Sequence, residues 1–93
     1  MISSPGAKKI SSAQMRGARA MLRWSALDLA RLSKVVVATI RRVEVLDGEI
    51  PVTAANEAAL RQAFESAGIE FVDENGTRGE GIRFRKPRRH SMR

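Results

Sequence analysis

The stretch Ser25-Ala26-Leu27-Asp28-Leu29-Ala30-Arg31-Leu32-Ser33-Lys34-Val35-Val36-Val37-Ala38-Thr39-Ile40-Arg41-Arg42 decides how this chain folds. Ser25 offers a side-chain oxygen to a helix start, and Asp28 sits three residues on, where a capping box wants Glu or Gln. Leu29, Ala30 and Leu32 give that helix an inward face, and it should stop near Ser33 or Lys34. A further helix is expected to begin near Val36 and run through Thr39, Ile40, Arg41 and Arg42 to about Leu46. Asp47-Gly48 then supplies a stop. The stretch therefore predicts two short helices joined by a tight turn.

On its N-terminal side, Ser11 or Ser12 can cap an earlier helix running to about Arg23. Met15, Ala18 and Leu22 recur at helical spacing, while Arg16, Arg19 and Arg23 fall on the polar side. Gly17 weakens that helix by roughly 1 kcal/mol relative to alanine. Trp24 is expected to staple the corner that follows.

On the C-terminal side, Pro51 and Thr53 introduce a fourth helix with an apolar stripe of Leu60, Ala63, Phe64 and Ala67. Glu57–Arg61 and Arg61–Glu65 pair along it at i,i+4. Gly68 suits the residue after the helix end. The period then changes to two, with Ile69 and Phe71 flanking Glu70 and Ile82 and Phe84 flanking Arg83, around an Asn75-Gly76 turn signal. The expected organisation is a flexible N-terminal arm over 1–10, a helical domain over 11–68, a β-hairpin extension over 69–85 and a disordered basic tail over 86–93. No internal repeat is present.

Ninety-three residues make one small domain. Seventeen Lys and Arg face ten Asp and Glu for a net charge of +7, 43% of residues are hydrophobic, and there is no cysteine. No apolar run reaches the roughly 18–20 residues of a membrane span, and the first residues lack the apolar core of a signal peptide. A cytoplasmic location is expected, without disulfides and without membrane association. The charge is divided sharply: residues 1–43 carry +8, residues 44–82 carry −7 and residues 83–93 carry +6. A cationic first half suits a polyanion, and the acidic middle does not.

Other chemistry is poorly supplied. His90 is the only histidine, too few ligands for a metal. Gly76, Gly79 and Gly81 lack the strand, lysine and helix of a phosphate loop. Asp73-Glu74 has no nucleophile or base placed beside it. Neither an enzyme nor a bound cofactor is expected. The few large apolar side chains make a marginal core, so a homodimer is expected, with Ile69, Phe71, Ile82 and Phe84 as the candidate dimer strands.

Two short helices joined by a turn of three or four residues inside a small helical domain predict a helix-turn-helix. Here a resemblance enters. Residues Ser12-Ala13-Gln14-Met15-Arg16-Gly17-Ala18-Arg19-Ala20-Met21-Leu22-Arg23-Trp24-Ser25 look like the opening of the Xre/Cro-like phage-repressor domains. Leu29-Ala30, Val35, Thr39-Ile40 and Glu44 fall at that family's spacings. Ala67-Gly68-Ile69-Glu70-Phe71, then Glu74-Asn75-Gly76 and Gly81-Ile82-Arg83, resemble the C-terminal extension of a bacterial subgroup.

The resemblance spans roughly residues 12–85. It implies a mainly α fold, a four- to five-helix helix-turn-helix domain with a short C-terminal β-hairpin, and a transcriptional regulator that binds double-stranded DNA. It further implies phosphate contacts at Ser25 and Val36, base readers at Val37, Ala38 and Arg42, and Arg41 near the backbone. Arg16, Arg19, Arg31, Lys34 and Thr39 complete the expected DNA surface.

The sequence departs from that pattern where it matters. Ala26 stands where the family has a phosphate-gripping glutamine. Lys34 stands where it has a left-handed glycine, a strain of roughly 1 kcal/mol. Val36 stands where it has a capping Ser or Thr. Val37 and Ala38 can only touch a thymine methyl, leaving Arg42 as the one side chain able to read guanine bidentately. An alternative follows: the apolar run Val35-Val36-Val37-Ala38 is a docking patch, and the protein is an antiactivator that sequesters another transcriptional regulator.

Overall fold

A computed structural model of the chain describes residues 9–87. Most of the expected arm, most of the expected basic tail and His90 lie outside the described residues. The described chain forms four helices and a two-stranded antiparallel hairpin: α1 (Ser12–Leu22), α2 (Ala26–Ser33), α3 (Val37–Glu44), α4 (Ala54–Ser66), β1 (Ile69–Val72) and β2 (Gly81–Phe84).

Each helix starts where its sequence offers an oxygen, except one. Ser11 caps α1 in a capping box, its hydroxyl accepting from the Gln14 N–H at 3.1 Å while its own N–H donates to Gln14 Oε1 at 2.9 Å. Ser25 and Asp28 form the same reciprocal pair on α2, so the shorter aspartate does reach back. Thr53 caps α4. Val36 heads α3 with no side-chain cap. Arg23 and Lys34 end α1 and α2 in the left-handed region, at φ 58° and 66°. Lys34 meets the expectation, and Arg23 adds a second non-glycine left-handed cap.

The core joins Ile10, Met15, Ala18, Leu29, Val35, Ile40, Val43, Ile50, Leu60, Phe64 and Ile69. Ile10 was expected in a loose arm but is fully buried, because the segment before α1 pairs with the loop after α3. Ser11 bridges Glu49, and the Ser12 N–H donates to the Gly48 carbonyl at 2.9 Å. Glu57 fixes the same segment from α4: its Oε2 accepts from the Ile10 N–H at 3.1 Å and from Arg61 at 2.9 Å. Three expectations shift. Leu32 is exposed, Ala67 is the exposed C-cap of α4, and α3 ends at Glu44, before Leu46.

The hairpin pairs Ile69 with Phe84, Glu70 with Arg83, Phe71 with Ile82 and Val72 with Gly81. Gly68, at φ +100°, makes the left-handed exit from α4 that leads into it. The face carrying Ile69, Phe71, Ile82 and Phe84 packs on the core of its own chain, beside Ala18 and Phe64, so strand pairing with a second copy would use the hairpin's edge and not this face. Phe64 stacks on Trp24 with ring centres 5.6 Å apart and meets Phe71 edge-on at 5.7 Å. Gln14 adds a polar clamp, its Nε2 donating to the carbonyls of Val72 at 3.3 Å and Gly81 at 3.0 Å. The apolar face of the hairpin is thus part of the core, which leaves its edges and its outer face, with Glu70 and Arg83, to a partner.

Candidate nucleic-acid interface

The α2–α3 pair is held rigidly from behind. Ile40 and Val43 are fully buried, and Val35, in the turn between the helices, is 4% exposed. At the far end of α3, α1 satisfies the last carbonyls that a helix leaves open. The Ser12 hydroxyl donates to the Val43 carbonyl at 2.7 Å, and the Arg16 guanidinium donates to those of Glu44 and Leu46. Arg19 grips the Glu44 carboxylate with two hydrogen bonds, at 2.8 and 2.7 Å, and donates a third to the Trp24 carbonyl. Charge-assisted, bidentate bonds of this kind fix orientation as well as adding energy. The hydrogen bonds that Arg19 donates to Glu44 push its pKa up, burial opposing them, so the guanidinium stays charged.

Arg16 and Arg19 were expected to meet a polyanion. The structure turns both guanidinium groups toward the end of α3, where they orient that helix. The physical reason is Glu44, a nearly buried carboxylate that draws Arg19 inward. Val35 is likewise removed from the expected docking patch, since its side chain closes the core under the turn. Ser25 has its hydroxyl engaged as a cap, and Thr39 is half-buried.

What α3 presents outward is Ala38, Arg41, Arg42 and Val45, spaced i, i+3, i+4 and i+7 on one face, all exposed. The Arg41, Arg42 and Lys34 side chains have no hydrogen bond or ion pair among the described residues. Arg31 is exposed and paired with Asp28 at 2.7 Å. That Asp28 carboxyl sits below its usual range, first because the Ser25 N–H donates to it, then through the Ser25 hydroxyl and Arg31. Val36 is 67% exposed, and Val37 is half-buried beside it.

Two exposed residues on this surface escaped the sequence reading. Leu27, 53% exposed, lies beside Val36 and Val37, and Arg23 adds a cation at the α1–α2 corner. The signal for Leu27 was present: it shares a helical face with Arg31 and Lys34, the solvated side of α2.

The acids gather elsewhere. Glu49, Asp73, Glu74 and Glu80 surround a cavity of about 200 Å³ between the start of α1 and the hairpin loop, with Ser11 and Lys9 on its wall. Among the described residues, no cluster of His, Cys, Asp or Glu is arranged to hold a metal ion, and no helix is long and apolar enough to cross a membrane. No protein-family model matches the chain, and no curated protein matches it.

Proposed function

We propose that this chain is a DNA-binding transcriptional regulator of the Xre/Cro-like kind, in which α2 and α3 form a helix-turn-helix and α3 enters the major groove. One observation carries this reading. The cations around the helix pair divide into two sets: Arg16 and Arg19 of α1 are bonded to the end of α3, while Lys34, Arg41 and Arg42 are exposed on the acid-poor α2–α3 face with no partner among the described residues.

In this reading phosphates are held by Lys34, Arg31 and Arg41, and by backbone N–H groups at the head of α3, which no side chain caps. Arg42 reaches a guanine edge, where a bidentate contact contributes about 1–3 kcal/mol of discrimination. Val37 and Ala38 touch thymine methyls. Contacts of this kind make affinity mainly electrostatic and steeply salt-dependent. Function as a homodimer on two half-sites follows from the same class. Since the hairpin's apolar face belongs to the core, the twofold contact would use a strand edge or the exposed Val45-Leu46 segment.

The test is selection from a labelled pool of genomic promoter duplexes across rising salt, followed by the Arg41→Ala/Arg42→Ala double variant. The expected result is a sequence subset that survives physiological salt and is lost at least tenfold in the variant. Binding that selects nothing and disappears with salt would overturn the reading.

A further inference from the structure

Between α2 and the turn into α3 lies a shallow, open groove of about 380 Å³, lined by Leu27, Ala30, Val36 and Val37 together with Arg31 and Lys34. Leu27 and Val36 are more than half exposed, and Val35 closes the groove from below. Aliphatic surface of this kind is stabilised by being covered, and a phosphate backbone does not cover it. We propose that this groove docks an acidic, amphipathic helix belonging to a partner protein.

Charge selects the sign of the occupant. Arg31 and Lys34 line the groove, and Arg41 and Arg42 follow on the exposed face of α3. The only acid between Ser25 and Val43 is Asp28, and it is already bonded to the Ser25 N–H and to Arg31. A basic segment would be repelled here, and carboxylates flanking an apolar stripe are complementary.

Backbone chemistry selects the conformation. One wall is α2 and the other is the turn that leads into α3, so no strand edge is present to receive an extended peptide. An extended segment would bury its own N–H and C=O groups without partners, whereas a helix satisfies them internally. Eight residues of α2 measure about 12 Å, which two turns of a partner helix match, with apolar side chains at i, i+3 or i+4, and i+7. Lys34, Val36 and Val37 belong to both this groove and the proposed DNA surface, so partner and DNA exclude one another. That exclusion rests on the DNA-binding reading, and the docking does not.

The experiment uses the full chain and a fluorescein-labelled 14-residue peptide with leucines along one helical face and glutamates on the other. A scrambled peptide of the same composition is the control, both read by anisotropy at physiological salt. The amphipathic peptide should bind at least tenfold more tightly than the scrambled one. Leu27→Gln/Val36→Ser should lower that affinity at least tenfold with an unchanged circular dichroism spectrum. Equal binding of both peptides, no binding of either, or an unaffected double variant would each overturn the docking proposal. A loss of duplex binding with peptide binding intact would also overturn it, by assigning the valine surface to DNA. Absence of sequence selection in the duplex assay strikes the DNA reading alone.

Discussion

Gly17 lies in the middle of α1, where helix propensity alone says that alanine should stabilise by about 1 kcal/mol. The structure reverses that expectation. A methyl group added at Gly17 would stand 2.5 Å from Cδ1 of Ile82 on β2 and 3.7 Å from its Cγ1. The first distance is a collision and the second an ordinary contact. Cδ1 is the far end of the Ile82 side chain and can turn away, but that side chain is half-buried on the core, so turning it leaves a preferred rotamer and disturbs packing, a cost of about 1–3 kcal/mol for overpacking. Gly17→Ala should therefore lose about 1 kcal/mol net.

Ile82→Val removes the colliding atom and by itself should cost about 0.5–1 kcal/mol. The double variant should then regain the helix propensity and return to near the parent stability. The coupling between the two sites should be about 2 kcal/mol, well above the roughly 0.3–0.5 kcal/mol within which independent sites add. Urea denaturation, followed by helical circular dichroism and by Trp24 fluorescence, measures all four corners of the cycle. Trp24 stacks on Phe64, so its emission reports the packing that the hairpin covers. Additivity within about 0.5 kcal/mol, or a stabilised Gly17→Ala single variant, would refute close packing of α1 on β2 at this point.

Lys34→Gly should relieve the left-handed strain at φ 66° and raise Tm by about 4–8 °C, while Lys34→Ala, which removes the charge but keeps Cβ, should not. Glu44→Ala should cost about 2–3 kcal/mol in denaturant unfolding, because it leaves the mostly buried Arg19 guanidinium with only the Trp24 carbonyl as a partner. Adding Arg19→Ala to it should cost little more, since the stranded charge goes with it. Asp28 has its folded pKa depressed below the ordinary 3.8, so its contribution is present above that value and is lost as pH falls through the lower folded one. Asp28→Ala should accordingly flatten the stability–pH profile at the acid end, most visibly below about pH 4, measured by thermal melts.

Much of the fold is legible in the sequence because it depends on neighbours in the chain. Ser11, Ser25 and Thr53 cap helices by bonding N–H groups three residues on, and Lys34 falls where the length of α2 requires a left-handed exit. The switch from a helical to a twofold period marks the hairpin, and the observed pairing puts Ile69, Phe71, Ile82 and Phe84 on one face. The concentration of cations in the first half was also legible.

Tertiary structure alone decided which like residues do unlike things. Arg16 and Arg19 have the same chemistry as Arg41 and Arg42, but only the first two come within reach of the end of α3 and Glu44, so they orient the helix that the other two decorate. Val35 and Val36 are adjacent valines at 4% and 67% exposure, because a turn residue follows no helical period and its direction is set by what packs beneath it. Ile10 reads as part of a polar arm until the loop after α3 pairs with it. That the hairpin closes over Phe64, with Phe71 edge-on against it, is set by how α1 and α4 pack. Capping and periodicity act over a few residues and can be read from the chain. The burial of a charge or a methyl group depends on segments distant in sequence, and only their packing decides it.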